Sequence, residues 1–193
     1  MRKFLAGGEF RLWLAIAGSV TLAIGAAYAM AQQSTRLSAD DLPLTNAQTA
    51  KAELESGATP DAVVPAQIIN LASNYNPFLI ITDGSHHVLA SSASLNGQTP
   101  LPPAGTFDFT AINGTDHFTW KPANNVRLAT RLMSWNYKDN HGYIISGQSL
   151  KPYEDRENIY LATAVPAWAA ALIWSYIFLL LPKAPAAKSR RAK

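Results

Sequence analysis

Two arginines spaced four residues apart are the strongest candidates for ligand chemistry in this sequence. Arg127 and Arg131 alternate with apolar residues in VRLATRL, so on an extended strand their side chains share one face. Guanidinium groups bind carboxylates and phosphates through paired hydrogen bonds, and Trp120 lies close by in sequence. One interpretation is an anion-binding face. The other, which is the more common situation for charged residues on a strand, is the solvated outer face of a sheet.

The histidines are the residues to test for a metal site. His86 and His87 are adjacent, and neighbours on a strand point to opposite faces, so the pair is poorly placed to ligate one ion. Other side chains would have to converge with one of them, namely Asp83, Asp116, His117 and His141. We therefore expect turn and surface histidines, with no metal and no cofactor. The candidate ligand-binding residues are Arg127, Arg131, Trp120, His86 and His117.

No motif in the chain predicts catalysis. The segment 147–150 lacks the final glycine of a nucleophile elbow, and no spacing suggests a Ser-His-Asp set. The chain contains no cysteine, which excludes a thiolate metal site, a cysteine nucleophile and a disulfide scaffold. We expect a protein that is not an enzyme.

Two apolar runs dominate the organisation of the chain. Residues 159–181 carry no charge and are long enough to cross a bilayer as a helix. Five cationic residues follow in the tail 182–193, and Arg2, Lys3 and Arg11 precede the first run at 12–31. Positive charge marks the cytoplasmic side of the cell membrane. Residues 1–11 and 182–193 are therefore predicted on the cytoplasmic side, and residues 32–158 are predicted on the extracytoplasmic side.

The first run has two interpretations. It is about 20 residues long, which exceeds the usual core of a signal peptide and favours an uncleaved anchor. Ala29-Met30-Ala31 nevertheless fits the Ala-x-Ala pattern of a cleavage site. The net charge of +3 in 193 residues gathers at the two ends, so the predicted partner is the lipid bilayer and not a nucleic acid.

The middle of the chain predicts an α+β domain, with helices first and then an antiparallel sheet covered on one face. Helices are expected from Thr45 to Gly57 and across 61–76, and residues 91–105 read as a loop. The five predicted strands are 78–82, 87–91, 117–120, 125–135 and 142–150. Of the neighbours Ile80 and Ile81, only one should face the core. The expected core comprises Phe78, Leu79, Ile80, Ile81, Val88, Leu89, Trp120, Leu128, Ile144 and Ile145.

A family resemblance follows from the order of these segments. The strands at 78–83 and 88–92 are followed by Leu95-x-Gly97-x-x-Pro100, Phe118-x-Trp120-x-Pro122 and then 126–129, and residues 142–150 lead into the second apolar run. Across residues 70–181 this order resembles extracytoplasmic PAS-like sensor domains, of the PDC/CACHE type, in bacterial membrane receptors such as histidine kinases. The resemblance implies a five-stranded antiparallel sheet with helices on one side that senses a small ligand or an envelope condition.

Only about a dozen residues follow the second run, too few for a signalling output domain. A sensor of this kind would act through a separate membrane partner or as a homodimer, with a small-molecule ligand that the sequence does not identify. The alternative is a structural accessory subunit whose domain docks onto an envelope complex. A partly polar pocket beneath loop 91–105 would favour ligand binding, whereas a filled core with an exposed apolar patch would favour docking.

Overall fold

The computed structural model describes residues 7–180, apart from the side chains of Glu9 and Arg36. The cationic residues Arg2 and Lys3, the residue Leu181 and the tail 182–193 lie outside the described residues. The chain divides into two compact units, Gln32–Asn158 and the end segments Met1–Ala31 with Ile159–Lys193.

Four helices and seven strands make up the described chain. The helices are α1 (Gly8–Glu55), α2 (Pro60–Val63), α3 (Ala104–Asn113) and α4 (Lys151–Leu180). The strands are β1 (Ile69–Asn70), β2 (Phe78–Asp83), β3 (Val88–Ser91), β4 (Ala93–Ser94), β5 (Thr115–Ala123), β6 (Val126–Tyr137) and β7 (Asn140–Ser149).

Helices α1 and α4 are each long and apolar enough to span a membrane, by length and composition alone. Their most apolar windows have mean hydropathies of 1.8 and 1.7, and none of the residues in those windows is buried. Within the unit formed by the end segments, the indole N–H of Trp168 donates to the hydroxyl of Thr21 at 2.8 Å. The rings of Trp13 and Tyr176 meet edge to face at 6.1 Å.

The two helices predicted between the apolar runs, Thr45–Gly57 and 61–76, differ from those of the structure. No helix begins at Thr45, because α1 continues without interruption through residues 32–44, a stretch that contains no glycine. Its buried positions, Ala39, Pro43, Ala47, Ala50 and Leu54, recur at helical spacing.

The helix expected across 61–76 is wrong for a local reason. Proline disfavours the helical conformation in the residue before it, and Val64, which precedes Pro65, has extended dihedrals of φ −79° and ψ 129°. Helix α2 therefore ends at Val63. The chain then forms β1, which pairs in parallel with β4.

The five predicted strands are confirmed as one antiparallel sheet with the order β3-β2-β7-β6-β5. The structure is thus mixed α+β, with N-terminal helices and a five-stranded antiparallel sheet. The loop expected at 91–105 instead contains β4 and the first residues of α3. Helix α3 was not predicted; it ends at Gly114, whose left-handed conformation (φ 77°) forms the C-cap.

The sheet is covered on both faces, so the expectation of one covered face is wrong. The loop-side core contains Phe78 and Ile80 of β2 together with Phe107 of α3. The helix-side core contains Leu79 and Ile81 of β2 together with residues of α1. Because β2 lies in the interior of the sheet, Ile80 and Ile81 are both fully buried. Val88 and Leu89 were expected in the core, but they are 39% and 44% exposed since β3 is an edge strand.

Candidate functional site

Four of the five predicted ligand-binding residues lie on the sheet, divided between its two faces, and His86 lies in the turn between β2 and β3. Trp120 is buried in the loop-side core. His117 and Arg131 are cross-strand partners in the register of β5 and β6, and alternation places them with Arg127 on the helix side. The structure therefore brings three of the five residues to one face and separates Trp120 from them.

His86 belongs to the loop side of the domain. It follows β2 in the left-handed conformation (φ 68°), and its ring stacks on Phe107 with 4.1 Å between centroids. The ring of Tyr143 lies at 5.5 Å from His86. These ring contacts hold the turn against α3.

His87 and Asp83 form the other half of that turn. One carboxylate oxygen of Asp83 accepts the backbone N–H groups of Ser85 and His87, each at 2.8 Å. The His87 ring nitrogen Nδ1 lies 3.1 Å from the second oxygen. The backbone N–H of His87 is the main cause that lowers the pKa of Asp83. Among residues 7–180, apart from the two undescribed side chains, no three His, Asp or Glu side chains are grouped so as to hold a metal ion.

Arg127 lines a cavity of about 380 Å³ that we call the helix-side cavity. Its walls come from the first half of the domain's part of α1, from β5 and β6 of the sheet, and from the start of α4. The lining residues are Thr35, Ala39, Asp40, Thr119, Arg127, Ala129, Leu150, Tyr153, Glu154 and Glu157. His117 and Arg131 share the face but do not line the cavity.

The lining of the cavity combines both signs of charge with an apolar surface. The Arg127 guanidinium donates to the carboxylate of Glu154, and both side chains are partly exposed, at 53% and 37%. The amide of Gln32 donates to the carboxylate of Glu157. Three carboxylates and one guanidinium are present among the described lining side chains. This lining offers ion pairing and hydrogen bonding to a small molecule that carries charge.

A buried glutamine lies beside the cavity, in contact with two of its walls. Gln148 of β7 is 4% exposed, and its Nε2 lies 2.9 Å from the carbonyl oxygen of Ala39 and 2.8 Å from the hydroxyl of Tyr153. That hydroxyl lies 3.4 Å from the carbonyl oxygen of Ser38. Sequence reasoning missed Gln148 and Tyr153. Pro43 in α1 is a sequence signal for this contact. It has no backbone N–H, so the carbonyl of Ala39 lacks its usual helical donor and needs another one.

Comparison with known proteins adds no relative to this geometry. The chain matches no protein-family model, no curated protein and no solved structure.

Proposed function

We propose that the chain is a two-span membrane protein whose unit Gln32–Asn158 is an extracytoplasmic PAS-like sensory or ligand-binding domain that acts through a separate membrane partner. The observation that carries the proposal is the helix-side cavity, which is concave, of small-molecule size and lined by both charged and apolar groups. Arg127 would bind an anionic group of the ligand, and the carboxylates would bind a cationic one.

The sheet supports the PAS-like part of the proposal. Numbered along the chain, the five strands β2, β3, β5, β6 and β7 lie in the order 2-1-5-4-3, which resembles that of PAS-like domains. The space beneath residues 91–105 is filled by apolar residues of the loop-side core, including Leu95, Phe107 and Trp120. By the criterion set from the sequence, a filled core there favours docking, so the ligand-binding proposal rests on the helix-side cavity alone.

Ligand binding is tested by thermal denaturation of the full chain in lipid nanodiscs with amino acids, dicarboxylic acids and polyamines as probes. A ligand of the folded state raises the unfolding temperature by mass action. We expect at least one probe to do so for the wild type and not for Arg127→Gln or Glu157→Gln. Arg131→Gln is the matched control, since it removes an arginine from the same face outside the cavity. An equal shift in all four proteins, or no shift with any probe, would contradict the proposal.

The topology is tested by labelling introduced cysteines, since the chain has none of its own. The proposal places Ser38 outside the cell and Ser189 inside, because the cationic residues gather at the two ends of the sequence. In intact cells an impermeant thiol reagent should modify Ser38→Cys and spare Ser189→Cys until the cells are opened. Equal labelling of the two before opening would rule out this topology.

A docking function is the second candidate, and one surface feature favours it. Phe109 and Ile112 lie three residues apart on α3 and are 51% and 85% exposed, so they share one apolar face of that helix. A photoreactive residue at Ile112 should crosslink to a defined protein in cells, and Phe109→Ser should abolish that product. The same photoreactive residue at the exposed Asn124 is the control. Crosslinking that is equal at both positions would show that the face of α3 has no specific partner.

A further inference from the structure

Helix α1 contains a proline in the part that packs against the sheet. Pro43 lies inside α1. It has no backbone N–H, and its ring crowds the carbonyl of the residue four positions earlier, which is Ala39. Ala39 is 2% exposed, so water is a poor substitute for the missing donor. A buried carbonyl in this position must find another partner or destabilise the helix.

Gln148 supplies that partner. Its Nε2 lies 2.9 Å from the carbonyl oxygen of Ala39, and because a carbonyl oxygen only accepts, the amide nitrogen of Gln148 must face it. The second N–H of the same nitrogen is directed to the Tyr153 hydroxyl at 2.8 Å. One side chain of β7 thus uses both of its donors, one toward α1 and one toward α4.

We infer that Gln148 is a latch: its side chain supplies the hydrogen-bond donor that Pro43 lacks and joins α1, β7 and α4. The inference goes beyond the proposed function, since it holds whether or not the helix-side cavity binds a ligand. Helices α1 and α4 are the two that contain the candidate spans. Ala39 and Tyr153 also line the cavity, so any molecule bound there would contact both partners of the latch.

The latch predicts that the two parts of α1 on either side of Pro43 depend differently on Gln148. Residues 45–55 of α1 are held by apolar contacts of Ala47, Ala50 and Leu54 with the sheet. Within the domain, the part of α1 before Pro43 has no comparable apolar cluster among the described residues, since Ala39 is its buried hydrophobic residue. Loss of the donor of Gln148 should therefore loosen residues 37–42 and leave residues 45–55 as they are.

Hydrogen exchange of the full chain in lipid nanodiscs tests the latch. In Gln148→Leu, amides 37–42 should exchange about tenfold faster than in the wild type, the effect of losing one buried hydrogen bond on a local opening. Gln148→Met keeps the length and approximate volume of the side chain but has no N–H or O–H donor, and it should give a similar increase. Gln98→Leu is the matched control, because that glutamine is exposed.

Each outcome decides the inference. Faster exchange confined to residues 37–42 in both Gln148 variants, with β2 and β7 unchanged, supports the latch. Wild-type exchange in Gln148→Met would show that the glutamine acts through its volume and not as a donor, which overturns the latch. Unchanged exchange in both variants, or equal acceleration throughout α1, also overturns it. Where Gln148→Leu fails to fold, Gln148→Met with Gln98→Leu as its control gives the same comparison.

Discussion

The two faces of the five-stranded sheet are covered in different ways. The loop-side core is one apolar cluster that draws on four segments of the chain: β1, β4, α3 and the sheet itself. This face is covered by short elements and loops. Phe107 of α3 and Trp120 of β5 are among the largest side chains of the cluster.

The helix-side face is covered mainly by α1, which has two unlike halves, together with Val63 and Val64. The later half of α1 buries Ala47, Ala50 and Leu54 against the sheet. The earlier half meets the sheet across the helix-side cavity and the hydrogen bonds of Gln148. The comparison teaches that apolar contacts fill one face and part of the other, while the earlier half of α1 leaves a cavity with a partly charged lining.

The largest expected effect tests whether both faces are true cores. Ile80 and Ile81 are both fully buried, one on each face. We expect Ile80→Asp and Ile81→Asp each to lower the free energy of unfolding by about 4 kcal/mol or more, because each buries an unpaired charge. Pulse proteolysis of the full chain in urea measures this. The sequence alone predicted that one of the two would be far more harmful than the other.

Val88→Asp is the matched control for that pair. Val88 is an apolar strand residue of the same sheet, but it lies on the edge strand β3 and is 39% exposed. Its replacement should change the free energy of unfolding by about 0.5 kcal/mol or less. A mild effect of either isoleucine variant, comparable with that of Val88→Asp, would mean that its face of the sheet is not covered.

The second prediction compares the two helices that cover the sheet, α3 on the loop side and α1 on the helix side. Phe107→Ala should destabilise the domain by about 3–5 kcal/mol, and Leu54→Ala by about 2–5 kcal/mol, because both side chains are fully buried and each truncation leaves a cavity. The same proteolysis assay applies. Phe107→Ala also removes the ring on which His86 stacks, so turn 83–87 should become more accessible to exchange in that variant alone.

The third prediction concerns the ion pair of the helix-side cavity. Arg127 and Glu154 are both more than one third exposed, so solvent screens their attraction. Arg127→Ala should lower the free energy of unfolding by about 0.2–1 kcal/mol, and the effect should shrink in high salt. A loss as large as that of Leu54→Ala would show that the polar half of the helix side is a structural core and not a site.

The smallest expected effect is the contribution of Glu55 at low pH. The hydrogen bond from Lys51 at 2.6 Å is the main cause that lowers the pKa of Glu55 below its ordinary value of 4.5. A lowered pKa in the folded state gives stability that is present above pH 4.5 and is lost as the pH falls through the lowered value.

Because the pair is exposed, that contribution is about 0.3–0.5 kcal/mol. Glu55→Gln should remove it at neutral pH and flatten this part of the acid titration of stability. Glu53→Gln, which replaces an exposed glutamate two residues earlier on α1, is the control for removing a carboxylate from the same helix. An identical acid dependence in the wild type and in Glu55→Gln would disprove the contribution.

Features that depend on neighbours along the chain were readable from the sequence. The apolar runs of α1 and α4 are properties of consecutive residues, and both are long enough to span a membrane. The strands at β2, β6 and β7 follow from apolar and alternating patterns bounded by turn residues. These signals are local because hydrophobic period and turn conformation are set within a few residues.

Features that depend on partners far away in sequence were decided by the tertiary structure alone. Which side chains cover the second face of the sheet depends on α1 crossing it, and no period in β2 reports that, since its residues are apolar on both faces. The donor for Ala39 comes from Gln148, which lies 109 residues away. A hydrogen bond satisfies whichever buried group lies within reach, and that reach is fixed only when the chain has folded.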